Sequence, residues 1–63
     1  MYSEKFLNTN YAQKLIEKRK AKGYSDKDAK GYALINMRGA FKAMGHKKAA
    51  DQADKALKEI YHS

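Results

Sequence analysis

Residues 29–44 limit the fold more than any other part of the chain, because small and apolar side chains cover nearly every side of this segment when it is drawn as a helix. Lys30, Arg38 and Lys42 are its only charged residues. A helix that is apolar almost all round is usually buried on most of its sides. In a chain of 63 residues, either the flanking helices embrace this segment or part of it faces another molecule. We therefore expect some self-association or partner binding.

The rest of the sequence predicts further helices and no strand. Alanine and lysine, which favour helix, are abundant, whereas proline and valine are absent. Apolar residues at helical spacing predict helices over residues 10–22, 26–44 and 47–61. Gly23 and Gly45 are natural residues for ending the first two of them. We predict an all-α fold, a single compact three-helix domain with short loops, and leave self-association open.

Polar residues at the predicted helix starts support these boundaries. Ser25 is the expected N-cap of the second helix, with Asp28 three residues later as in a capping box. Asn8, Thr9 and Asn10 are all N-cap types and precede the first predicted helix. They can divide the N-terminal part of the chain into a short turn and a main helix.

The net charge is +7, and its excess is concentrated in the first predicted helix. Within residues 14–22, Glu17 is the only acid. The five basic residues of that stretch are Lys14, Lys18, Arg19, Lys20 and Lys22. Residues 47–61, in contrast, place opposite charges four apart and largely neutralise themselves. A local cationic excess in a small domain indicates an anionic partner.

Seven cations are candidate nucleic-acid-binding residues, because basic side chains release counterions from phosphates. They are Lys14, Lys18, Arg19, Lys20, Lys22, Arg38 and Lys42. We predict a nucleic-acid-associated regulator that makes a non-specific or shape-reading contact. A helix-turn-helix reader fits less well, because the second helix opens with Asp26 and Asp28, which would repel phosphates. The competing interpretation is that cations near a helix C-terminus only complement its dipole.

The spacing of these cations divides them into groups. Three lysines four residues apart form what we call the basic row, which consists of Lys14, Lys18 and Lys22. Arg19 follows Leu15 by four, so we expect its stem along the apolar face of the helix. Lys20 is explained as an end-of-helix charge. The row becomes part of a larger patch if the fold brings Arg38 and Lys42 to the same side.

A second hypothesis is protein binding by the apolar excess of the second helix. The candidate protein-binding residues are Leu34, Ile35, Met37, Phe41 and Met44. Methionine-rich patches adapt to partners, and a basic rim would steer the chain towards an acidic surface. The chain would then be an inhibitor or adapter, a small regulator of the phage or plasmid type. It would dock on an acidic or apolar surface of a nucleic-acid-processing machine. The competing interpretation is that these residues are simply the core.

Several functional classes find no support in the sequence. Without cysteine there is no disulfide and no thiolate metal site, and His46 and His62 lie too far apart for a local metal pair. Ser25 is taken by the cap, and no nucleophile has an evident base. We therefore expect no enzyme, cofactor or small-molecule substrate. No segment has a membrane span's length or a signal peptide's apolar core, so we expect no membrane partner and a cytoplasmic location.

Overall fold

The computed structural model describes the backbone of residues 2–62 and the side chains of residues 4–62. This part of the chain forms four α-helices and no strand: α1 (Tyr2–Leu7), α2 (Asn10–Ala21), α3 (Asp26–Ala43) and α4 (Lys47–Tyr61). The all-α prediction is confirmed, and the three predicted helices agree with α2, α3 and α4 to within one residue at each end. A fourth, short helix, α1, precedes them where the sequence indicated a possible turn.

Thr9 separates α1 from α2. Its hydroxyl accepts a hydrogen bond from the Ala12 amide at 3.2 Å, which makes Thr9 the N-cap of α2, and it donates to the Phe6 carbonyl at 3.0 Å. Gln13 adds a side-chain bond to the Leu7 carbonyl at 2.6 Å. These bonds satisfy backbone groups at the end of α1 and the start of α2, so the chain folds back between the two helices.

The two predicted glycine stops adopt the left-handed conformation, with φ of 96° at Gly23 and 79° at Gly45. At the end of α2, the Tyr24 amide donates to the Arg19 carbonyl at 3.2 Å and the Gly23 amide donates to the Lys20 carbonyl at 3.0 Å. This pair of bonds is the Schellman motif, and α3 ends in the same way at Gly45. Both connections are therefore short, and consecutive helices fold back on one another.

The helix starts are less uniform. The Ser25 hydroxyl accepts from the Asp28 amide at 3.1 Å, as predicted for the N-cap of α3. The Asp28 carboxylate accepts from the Tyr61 hydroxyl at 3.4 Å and so ties the end of α4 to the start of α3. His46 occupies the N-cap position of α4 and makes no side-chain capping bond.

Helix α3 is the central element, as its apolar character requires. Helices α2 and α4 both pack along it, while α1 packs on α4 and touches α2 and α3. Phe6 of α1 meets Phe41 of α3 with ring centroids 5.9 Å apart. The core consists of Phe6, Leu7, Ala12, Ile16, Ala29, Ala33, Leu34, Met37, Ala50, Ala53, Ala56 and Leu57.

One side of this layer carries no covering helix. The Cα positions extend 32 × 25 × 15 Å, so the molecule is thin across the layer formed by α2, α3 and α4. Because α1 is the only further helix in the described residues, the surface of α3 turned away from the core stays open. Ile35, Gly39 and Lys42 lie on it and are exposed.

Candidate nucleic-acid interface

The basic row lies on the exposed surface of α2. Its three lysines are exposed, and at 1.5 Å per residue the row extends about 12 Å along the helix. Ile16 and Ala12 point to the opposite side of α2 and are buried. No described side chain forms an ion pair with any of the three. The row therefore presents its positive charge without an internal counterion.

Arg19 is held between two tyrosines, an arrangement that we call the Arg19 stack (Tyr24, Arg19 and Tyr32). Its Cζ lies 3.6 Å from the centroid of the Tyr32 ring and 5.3 Å from that of Tyr24. Its Nη1 also approaches the Tyr24 hydroxyl at 3.5 Å. These contacts explain why Arg19 is half-buried beside an exposed row. The head of Arg19 is therefore stacked on aromatic rings rather than free in solvent.

The titration of the Arg19 stack reflects these contacts. The interaction with the Tyr32 hydroxyl raises the pKa of Arg19 and so keeps the guanidinium charged. Hydrogen bonding from Asn36, and secondly from Arg19, lowers the pKa of Tyr32. The charge of Lys22 makes a smaller contribution in the same direction. The C-terminal end of the basic row is thus close enough to Tyr32 to act on it electrostatically.

Two of the seven predicted nucleic-acid-binding cations form ion pairs with acidic side chains. Lys20 Nζ lies 3.2 Å from Asp26 Oδ1, and Arg38 Nη1 lies 2.8 Å from Asp54 Oδ1. Hydrogen bonds from Lys30, and secondly Lys20, lower the pKa of Asp26. The hydrogen bond from Arg38 is the main cause that lowers the pKa of Asp54. Lys20 and Arg38 therefore connect helices within the fold and are poor candidates for contacting phosphates.

Lys42 points away from the core. It follows the fully buried Ala33 by nine residues, which corresponds to half a rotation about the helix axis at about 100° per residue. It forms no ion pair with a described residue. Because α2 and α3 are joined by a short loop and run in opposite directions, Lys42 lies at the same end of the layer as the start of α2. Arg38, one turn earlier on α3, is paired with Asp54 on α4, and Lys42 borders the start of α4 near Lys47 and Asp51.

The predicted protein-binding residues divide between core and surface. Leu34 and Met37 are 0% and 7% exposed, so they cannot contact a partner of the folded chain, and that part of the prediction needs correction. Phe41 is half-buried against the core. Ile35 and Met44 are 47% and 61% exposed. The division arises because α2 and α4 cover two flanks of α3 and leave a third side open.

Two exposed tyrosines lie beside the basic row and are not among the seven predicted nucleic-acid-binding residues. Tyr11 and Tyr24 are 54% and 46% exposed, and they lie before and after the basic row. Their exposure follows from position, since Tyr11 is in the first turn of α2 and Tyr24 follows the glycine that ends it. The sequence signal for Tyr24 was available, because a residue just after a C′ glycine commonly contacts the last helical turn.

Other kinds of site receive no support from the described residues. Residues 2–62 contain no group of three or more histidine, cysteine, aspartate or glutamate side chains that could hold a metal ion. Among their helices, none combines the length and apolarity needed to cross a bilayer. Open depressions border the start of α4, and one of them is lined by Lys42, Gly45, Lys47, Ala50 and Asp51.

No family model, curated protein or solved structure matches this chain. Its function is therefore inferred from the surface itself.

Proposed function

We propose that this chain is a small nucleic-acid-binding regulator that contacts phosphates through the basic row and Lys42. The observation that carries the proposal is that these four lysines are exposed and lack an acidic partner among the described residues. The ion pairs among the described residues use Lys20, Lys30, Arg38 and Lys58 instead. Exposed lysines without an ion pair to a described residue also lie elsewhere, at Lys5, Lys47 and Lys48. The basic row differs from them in placing three such lysines four residues apart along one side of α2.

The position of the row favours contact with a backbone. Three ammonium groups follow one another along one helix, and a phosphate backbone presents charges in a similar linear order. Each phosphate neutralised by lysine releases condensed counterions, which supplies most of the affinity of non-specific binding. Nothing in the row discriminates between bases, because lysine acts as a point charge on phosphate. The proposed contact is therefore independent of sequence.

A salt titration of binding tests the proposal. Four phosphate contacts predict that log K falls with log salt with a slope of about −2.8 on a single strand and about −3.6 on duplex DNA. Replacement of the basic row by glutamine leaves Lys42 alone and is expected to reduce the single-strand slope to about −0.7. Fluorescence anisotropy with labelled oligonucleotides measures the salt dependence of binding for the original chain and for the variant. Absence of binding at low salt would exclude the proposed function.

A matched control uses a lysine on another surface. Lys48 is exposed in the first turn of α4, and it precedes the buried Leu57 by nine residues, which places it on the side of α4 turned away from the core. Lys48→Gln removes the same charge as Lys18→Gln. We expect Lys18→Gln to reduce the single-strand slope by about 0.7 and Lys48→Gln to leave it unchanged. Equal effects would show that only net charge matters.

The exposure of Ile35 and Met44 favours a second candidate function, docking on another protein. Ile35 lies on the open side of α3, as Lys42 does, whereas Met44 is the C-cap residue nine positions after Ile35 and lies half a rotation away. An exposed apolar side chain on the same side as a lysine would suit an acidic protein surface. The double variant Ile35→Ser/Met44→Ser distinguishes the candidates. Nucleic-acid binding predicts unchanged oligonucleotide affinity in this variant, whereas a marked loss of affinity would place the apolar residues in the interface.

A further inference from the structure

We infer that the nucleic acid bound by this chain is single-stranded, and that Tyr24 and Tyr11 stack on unpaired bases at the two ends of the basic row. This inference rests on the proposed function, since it requires that the row contacts phosphates. It specifies the class of nucleic acid, which contacts between lysine and phosphate do not determine. Aromatic rings stack on bases of any sequence once those bases are unpaired.

Tyr24 is presented as a stacking platform by the fold. The Schellman motif fixes its backbone through the bond from its amide to the Arg19 carbonyl at 3.2 Å. Arg19 holds its ring from one side, with Cζ 5.3 Å from the centroid and Nη1 3.5 Å from the hydroxyl. The residue still exposes nearly half of its surface, 46%. A ring that is oriented in this way loses little conformational entropy when a base stacks on it.

Tyr11 provides a second ring at the opposite end of the row. It lies three residues before Lys14 and seven before Lys18, so it shares their side of α2 at helical spacing. It is 54% exposed. From Tyr11 to Lys22 the helix rises about 16 Å. The resulting surface has an aromatic ring at each end and three cations between them, an arrangement that suits one strand with its bases turned towards the protein.

The same geometry is poorly suited to a duplex. Paired bases are stacked inside the helix, so Tyr11 and Tyr24 would meet only sugars and phosphates. Reading the major groove requires an element that projects into it, whereas α2 and α3 lie side by side in one layer.

The test compares leucine variants of the two tyrosines on single-stranded and duplex oligonucleotides of the same sequence. Loss of one stacked base is expected to weaken single-strand binding about tenfold for Tyr24→Leu and for Tyr11→Leu, with duplex binding unchanged. Phenylalanine at either position keeps the ring and is expected to restore single-strand binding. Tyr61→Leu removes a tyrosine of similar exposure, 43%, from α4 and should leave both affinities unchanged. Urea unfolding of each variant confirms that it is folded.

The outcomes separate the inference from the proposed function. If the lysine variants weaken binding to both substrates and the tyrosine variants weaken neither, the single-strand assignment is wrong and the phosphate contact stands. An equal loss on strand and duplex in Tyr24→Leu would also overturn the assignment, because the ring would then act through the lysines. If the lysine variants change neither affinity, the proposed function fails and the inference fails with it.

Discussion

Two glycines of α3, Gly31 and Gly39, differ in how much space the fold leaves for a side chain. Gly31 is buried under Tyr61, and a Cβ at Gly31 would approach the Tyr61 Cε2 to 2.8 Å. Gly39 lies eight residues later on the open side, and a Cβ there would meet nothing within 4 Å. Gly31 therefore permits the close approach of α4, whereas nothing among the described residues requires glycine at position 39.

The two positions should respond oppositely to alanine. Gly39→Ala is expected to raise the free energy of unfolding by about 0.5–1 kcal/mol, because alanine is the better helix former and the site is open. Gly31→Ala should lower it, because the displaced Tyr61 ring loses its packing against α3. Urea unfolding of the two variants measures the difference. Destabilisation by Gly39→Ala would indicate that a second molecule covers this side of α3 in solution.

At the scale of elements, the ends of α3 and α4 differ in how well their backbone groups are satisfied. Ser25 caps α3, and two acids stand in its first turn. Helix α4 begins at His46 without a side-chain cap, and its first turn contains no acid. Lys47 and Lys48 lie there instead, where the helix dipole disfavours positive charge. The start of α4 is therefore less well satisfied than the start of α3 with respect to capping and charge.

A better cap at this position should stabilise the molecule. His46→Asp offers a side-chain acceptor to the free amides and a negative charge to the dipole, and we expect a gain of about 1 kcal/mol in the free energy of unfolding. Ser25→Ala, which removes an existing cap, should cost about 1 kcal/mol. Both are measured by urea unfolding. No gain from His46→Asp, together with a loss from Ser25→Ala, would mean that the amides of α4 are already satisfied.

The contact between α3 and α4 should make stability depend on acid pH. Asp54 accepts from Arg38 at 2.8 Å, the main cause that lowers its pKa below 3.8, and Lys58 approaches it at 3.7 Å. A carboxylate whose pKa is lower in the folded state stabilises the fold fully above its unfolded pKa. That contribution is lost as the pH falls through the lower, folded value. Stability should therefore be constant from neutral pH down to about pH 5 and decrease below about pH 4.

The variant Asp54→Asn tests the origin of this dependence. It should unfold at lower urea concentration than the original chain at neutral pH, and its midpoint should fall less between neutral pH and pH 3. Asp26 is a second carboxylate for comparison with Asp54, because its pKa is also lowered, by hydrogen bonds from Lys30 and secondly Lys20. Its ion pair with Lys20 joins the end of α2 to the start of α3. An unchanged pH profile in Asp54→Asn would rule out the Arg38 contact as its source.

The helices could be predicted from local sequence signals. Which residues are available at the candidate site depends on tertiary contacts instead. Gly23, Ser25 and Gly45 gave boundaries correct to one residue, because each acts on its own helix terminus. The pairing of Arg38 with Asp54, sixteen residues away, depends on how α4 packs on α3. The same packing buries Leu34 and leaves its neighbour Ile35 exposed. Such divisions follow from which flank of α3 each helix covers, and the sequence of α3 alone does not contain that information.

For the whole molecule, the basic row on α2 and the open side of α3 underlie the two candidate functions. The row places three exposed lysines along one helix, and Ile35 is an exposed apolar side chain on the open side of α3. Self-association through this side stays a prediction, and light scattering measures it directly. A chain with a net charge of +7 opposes its own dimerisation at low salt. We therefore expect any dimer to strengthen as salt is added, opposite to the trend for nucleic-acid binding.

Amide chemical-shift mapping with an unlabelled single strand at low salt locates the proposed strand contact on the folded chain. The largest shifts are expected along residues 11–24, with further shifts at Tyr32 and Lys42, and all of them should vanish as salt is raised. Amides of α4 beyond its first turn should stay unperturbed. Shifts confined to α4, or no shifts at low salt, would overturn the proposed contact.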